Sequence, residues 1–145
     1  MAIIAFNELV FRLLAAIFLG GMMGLEREAR RRDAGLRTLI LVCMGSALVT
    51  MIAVHTSVDL DGAKWITSGI VTGVGFLGAG AIMRDRFNIK GLTTAASIWM
   101  VAMIGMGIGY GMVAESAVAT FLALFVLVGV GKLEKVLFHK SWTNI

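Results

Sequence analysis

The sequence predicts an all-α protein: a polytopic transmembrane helix bundle of five spans, N-terminus outside and C-terminus in the cytosol. Three observations predict it. The 145-residue chain is 59% hydrophobic and 15% charged, contains no proline, and has a mean hydropathy of +0.91. An ordinary soluble domain is roughly half apolar and a quarter charged. Apolar segments long enough to cross a bilayer recur along the chain. Basic residues gather in alternate connections between those segments.

The first span runs from about Ile3 to Leu25. No basic region precedes it and no small-residue cleavage site is clear, so it reads as a span rather than a signal peptide. Glu8 and Arg12 stand four apart near its outer end, in the order that favours a helical ion pair. A cation there is paired or snorkelled, or it holds a neighbouring span. The second span, Leu36 to Val54, carries the single cysteine, Cys43, in an apolar run. An intramolecular disulfide is excluded, and a buried inert thiol is expected.

The third span, Ala63 to Met83, continues as VTGVGFLGAGAIM. Its Gly73, Gly75, Gly78 and Gly80 fall too densely for one helix face. Either several helices crowd this segment or the helix is locally loose. Gly73, Gly75 and Gly78 also spell GxGxxG, but that motif needs a preceding strand in a soluble βαβ unit. The fourth span, Leu92 to Gly109, and the fifth, Met112 to Val130, are joined by GIGYGM. So little polarity in that turn leaves a re-entrant pair, or four spans, as the alternative. The organisation expected is a transmembrane domain over 1–131 and a short basic tail over 132–145.

Orientation follows from the bases. Arg27, Arg30, Arg31, Arg32 and Arg37 follow the first span, Arg84, Arg86 and Lys90 the third, and Lys132, Lys135 and Lys140 lie in the tail. Only Arg12 and Lys64 fall on the other side. The positive-inside rule puts the larger set in the cytosol, which requires an odd number of spans. The net charge of +4 is thus an orientation signal. The partners expected are membrane lipid and protein, not nucleic acid.

Small-residue ridges one helical turn apart occur at Gly20 and Gly24, Gly69 and Gly73, and Gly105 and Gly109. In lipid such ridges let backbones approach closely. They serve packing within the chain, between chains, or both, and a homodimer is the expected assembly.

The stretch GLEREARRRDAGLRT, residues 24–38, carries the densest charge. Glu26 and Glu28 close the first span at its C-terminal end, where the helix dipole disfavours acids, so nearby arginines compensate. Glu26 and Arg30 are four apart. The cluster reads either as a solvated, self-neutralising patch or as a fixed network at the cytosolic mouth, with Arg37 pointing in. Candidate members of that network are Glu26, Arg27, Glu28, Arg37, Asp85 and Lys90. Gly35 suits a turn with positive φ, and Thr38 suits a bond to a carbonyl of its own helix. After Gly91, the hydroxyl of Thr93 or Thr94 suits a cap for the fourth span. His55 and His139 lie near opposite faces without a second ligand at metal spacing, which argues against zinc. No Ser/His/Asp set or catalytic acid pair is present in the pattern. A non-enzymatic protein without cofactor or metal is expected.

Three stretches carry a resemblance. GGMMGLEREARRRDAGLRTLILVCMGSAL, VTGVGFLGAGAIMRDRFNIKGLTTAASIW and IGMGIGYGM resemble, in order and spacing, the signatures of the MgtC/SapB family over roughly residues 7–112. Asp33 stands where members often have proline, and Leu39 where many have His or Asn. Many members also carry a cytosolic C-terminal domain resembling ACT modules, which the short form expected here lacks. The resemblance implies a bacterial inner-membrane protein with a regulatory role. In this mixed family it is the virulence-associated members that modulate the ATP synthase and serve in magnesium limitation and acid stress.

Two functions stay open at this point. One is a membrane modulator that binds another membrane protein, an ATP synthase subunit being the family candidate. The other is a channel or transporter, for Mg²⁺ or another cation. Mg²⁺ sites use one or two carboxylates with retained waters, and intramembrane acids mark ion paths. No acid falls in the middle of a span here, and the cytosolic mouth is basic. A path lined by backbone carbonyls of the third span is the route left to transport.

Overall fold

The computed structural model describes residues 4–57, 60–84 and 88–138. Helix α1 spans Phe6–Ala29, α2 Leu36–Thr56, and α3 Leu60–Gly80. A two-stranded hairpin follows, β1 at Met83–Arg84 and β2 at Ile89–Lys90. Helix α4 spans Leu92–Gly109 and α5 Val113–Phe125. A π-helical stretch, Val126–Val130, leads directly into α6, Gly131–Phe138. Apolar segments in lipid must satisfy their backbone groups internally, and the helix does so within each segment.

The all-α bundle agrees with the sequence. The span count is only partly matched. Among the described residues, four helical runs are long and apolar enough to cross a membrane: Phe6–Ala29, Leu36–Thr56, Leu92–Gly109 and Val113–Leu133. Helix α3 has 21 residues, enough for about 30 Å at ~1.5 Å per residue. Its lysine, hydroxyls and glycines dilute its hydropathy, and it is not among the four. The dense glycines neither crowd nor loosen it. Gly69, Gly73, Gly75 and Gly80 face open space, with nothing within 4 Å of where a Cβ would stand. The helix runs unbroken to Gly80.

Helix α2 packs on α1, α3 and α4. It is gripped by two glycine ridges. A Cβ at Gly20 would stand 2.7 Å from Cys43 Cβ, and one at Gly24 would stand 2.7 Å from Leu36 Cα. On α4, Gly105 abuts the Cys43 carbonyl, and a Cβ at Gly109 would stand 2.7 Å from the Ala47 carbonyl oxygen. Cys43, fully buried, lies between the ridges. Dispersion across such close backbones is what holds helices together in lipid. The buried hydroxyls of Thr50 and Thr120 donate to the carbonyls of Ser46 and Ser116, each at 2.8 Å, so neither is left unpaired.

The outer face is apolar. Phe11, Leu14 and Phe18 of α1, Leu41 and Leu48 of α2, and Phe121, Leu122 and Phe125 of α5 are exposed. In water this surface would be an aggregation liability; in a bilayer it faces acyl chains.

The hairpin was not foreseen. It pairs Met83 with Lys90 and Arg84 with Ile89. It is followed by Gly91 at φ +88°, where a Cβ would collide with the Ala81 carbonyl oxygen. Only glycine fits a left-handed residue against that oxygen.

Candidate functional site at the charged end of the bundle

Helix α1 carries its apolar run to Leu25 and then turns polar. Arg27 is 3% exposed. Its Nη2 donates to Thr94 Oγ1 on α4 at 3.4 Å, a contact across 67 residues of sequence. Glu26 lies beside it with a side chain 9% exposed. Its Oε2 is 3.7 Å from Arg27 Nη1, and its Oε1 is 2.5 Å from Arg30 Nε. None of these contacts is a well-aligned hydrogen bond to Glu26: both of its oxygens, and Arg27 Nε, have no hydrogen-bond partner among the described residues. The cluster is therefore charge-compensated but retains donor and acceptor capacity, in a place where unspent capacity is costly.

The chain then reverses in a Schellman turn. The Arg31 N–H donates to the Glu28 carbonyl at 2.9 Å, and the Arg32 N–H to the Arg27 carbonyl at 3.0 Å. Arg31 takes the left-handed position at φ 53° that glycine usually fills. This corrects the expectation for Gly35, whose φ is −93°. Gly35 is needed for space instead. Glu28 Oε2 accepts from the Leu36 N–H at 3.0 Å, where a Cβ on Gly35 would collide with it. Glu28 thus caps α2 from outside the helix.

Of the remaining candidates, Arg37 and Thr38 are exposed on the first turn of α2. Lys90 is exposed in β2 and is not among the described ion-pair partners of Glu26, and Asp85 lies outside the described residues. Thr93 and Thr94 do not cap α4. Its N-cap is Gly91, with no side-chain cap bond; the left-handed glycine turns the chain in so that Thr94 points at Arg27 instead. Leu39 is fully buried and so has no polar role. The structure gathers Glu26, Arg27 and Thr94, adds Arg30, and leaves Arg37 and Lys90 at the surface.

The other end of the bundle has a matching clamp. Arg12 pairs with Glu8, and its Nη1 donates to the Gly109 carbonyl at 2.7 Å. Both readings of Arg12, the helical pair and the hold on a neighbouring span, apply together. Arg12 and Arg27 stand 15 residues apart, as do Thr94 and Gly109. Two arginines therefore fix α1 antiparallel to α4 at both ends. Helix α3 runs the same height. Thr67 Oγ1 lies 3.0 Å from Tyr110 Oη at one end, and at the other a Cβ on Gly78 would stand 3.5 Å from the Ala95 carbonyl oxygen.

An apolar helical bundle with an ion cluster closed into one end is a multi-pass membrane protein. The model of the MgtC family matches residues 13–136, and the chain belongs to that family. Protein SrpB of Synechococcus elongatus is 37% identical, over 94% of this chain and 83% of its own length. Protein MgtC of Salmonella typhimurium is 45% identical over 79% of this chain and 49% of its own length. Protein MgtC of Brucella abortus is 42% identical over 79% of this chain and 48% of its own length. The chain thus spans about half the length of these MgtC relatives. No solved structure matches it.

Proposed function

We propose that this protein is a non-enzymatic modulator of the bacterial inner membrane that acts by binding another membrane protein. An ATP synthase subunit is the family candidate, and magnesium limitation, acid stress and virulence are the settings. The observation that carries this reading is the compensation of Glu26. Its carboxylate, the most buried of the charged end among the described residues, is flanked by Arg27 and Arg30. Two guanidinium groups already neutralise that carboxylate and disfavour a divalent cation there, whereas a protein partner finds a basic end with exposed Arg31 and Arg37. The route left to transport weakens too. Backbone carbonyls of α3 are engaged in an unbroken helix, and those of Gly78 and Ala79 accept from Ala81 and Ile82.

The same reading takes five crossings, with the charged end in the cytosol, and a homodimer joined through the open glycine face of α3. The match in height between α3 and α4 supports the fifth crossing. Purified protein in liposomes loaded with a Mg²⁺-sensitive dye tests the function, together with affinity purification from native membranes. The expected result is no saturable flux, with recovery of an ATP synthase subunit that Arg31 and Arg37 substitutions abolish. Saturable Mg²⁺ flux lost in Glu26→Gln would replace the modulator with a transporter.

A further inference from the structure

Two parts of the chain a hundred residues apart in sequence meet in a second feature of the charged end. Arg30 and Arg32, from the turn after α1, face Gly131 and Lys132, from the start of α6, across a cleft of about 390 Å³. That volume lies within the roughly 300–1,000 Å³ of ligand sites. The Arg30 guanidinium reaches over Gly131, where a Cβ would stand 3.6 Å from its Nη1. Arg30 is held by Glu26 from behind. Among the described residues, neither Arg32 nor Lys132 has an ion-pair partner. Three cations thus line one cleft. Glu26 offsets the charge of Arg30, and the C-terminal dipole of α1 adds about half a negative charge, which leaves the cleft net positive.

The depth of the cleft says what reaches it. Arg30 follows the last residue of α1, and Lys132 is the penultimate residue of the apolar run Val113–Leu133. Both stand at the end of a candidate span, and the end of a spanning helix meets the polar headgroup layer. We propose that this cleft binds the phosphate of an anionic phospholipid headgroup. The planar forks of Arg30 and Arg32 suit two phosphate oxygens each, and Lys132 adds a point charge. A zwitterionic lipid would bring its own ammonium against three cations, so the site selects net negative headgroups. A bound headgroup bridges the end of α1 to the start of α6. The assignment depends neither on the protein partner nor on which side of the membrane the charged end faces.

Native mass spectrometry and thermal-shift measurements in detergent test it, with phosphatidylglycerol, phosphatidylcholine and pyrophosphate as probes. Arg32→Gln with Lys132→Gln empties the cleft of two cations at exposed positions, so the fold survives. Arg84→Gln with Lys90→Gln removes the same charge from the hairpin. The wild type and the hairpin variant are expected to retain phosphatidylglycerol over phosphatidylcholine. The cleft variant is expected to bind phosphatidylglycerol about tenfold more weakly or worse. Equal retention by the cleft variant, or equal loss in the hairpin variant, would overturn the site. Full displacement of phosphatidylglycerol by millimolar pyrophosphate would overturn the lipid as its occupant and leave a cleft for soluble phosphates.

Discussion

Arg27 is the residue on which the charged end turns. Removing one partner of a buried ion cluster strands the others, at a typical cost of 3–5 kcal/mol. Glu26 keeps Arg30, so the loss in Arg27→Ala is expected at the lower end, about 3 kcal/mol. Thermal unfolding in detergent checks this, with Arg37→Ala, exposed and without an ion pair among the described residues, changing stability by no more than about 0.5 kcal/mol. Comparable losses in the two variants would sink the buried cluster. Arg31 gives the opposite sign. Its left-handed backbone costs a non-glycine residue about 1–2 kcal/mol, partly offset by the greater unfolded-state freedom of glycine. Arg31→Gly should therefore gain about 1 kcal/mol, read as a higher midpoint in the same assay. The two residues also mark the limit of sequence reading here. Glu26 and Arg30 were legible as a pair because helical spacing joins them. The bond from Arg27 to Thr94 was not, because 67 residues separate them and a threonine after glycine reads equally well as a cap.

At the scale of the helix, the glycine ridges were legible but their partners were not. The spacing of Gly20 and Gly24 equals that of Gly69 and Gly73, yet the first pair lies against α2 and the second faces open space. Nothing in a ridge says which neighbour the topology brings to it. The difference is measurable. Gly24→Ala drives a Cβ to 2.7 Å from the Leu36 Cα, backbone that cannot yield cheaply, and a loss of about 2 kcal/mol is expected. Gly73→Ala meets no such obstacle and gains helix propensity of up to about 1 kcal/mol. In detergent, the monomer of Gly73→Ala should be at least as stable as wild type while Gly24→Ala melts earlier. If the α3 face joins two copies, bulkier Gly73→Leu lowers the dimer fraction in a crosslinking assay and leaves the monomer folded. An unchanged dimer fraction would move that interface elsewhere. The hairpin and the π-helical stretch were not legible. The first rests on a two-pair register too short to carry alternation, and the second, VLVGV, lies in an apolar run that reads as ordinary helix.

At the scale of the molecule, the question left to the bilayer is whether α3 crosses it. Among the described residues four helical runs qualify by length and hydropathy, and the proposed crossing of α3 rests on its neighbours. It stands against α4 from Tyr110 at one end to Ala95 at the other. If α4 spans, α3 occupies the same slab. The price of Lys64 is small because it lies near the end of α3, exposed and paired with Asp61 at 2.9 Å. Charge gives the same answer. Arg84 and Lys90 follow α3 and belong with the arginines after α1 only if α3 crosses. In a Cys43→Ala background, a cysteine at Thr56 should react with a membrane-impermeant thiol reagent added to intact spheroplasts. A cysteine at Arg84 should react only after the membrane is opened. Labelling of both from the outside would leave α3 lying on the bundle without crossing it. The last span would then run outward rather than inward, and the basic end would be split between two compartments.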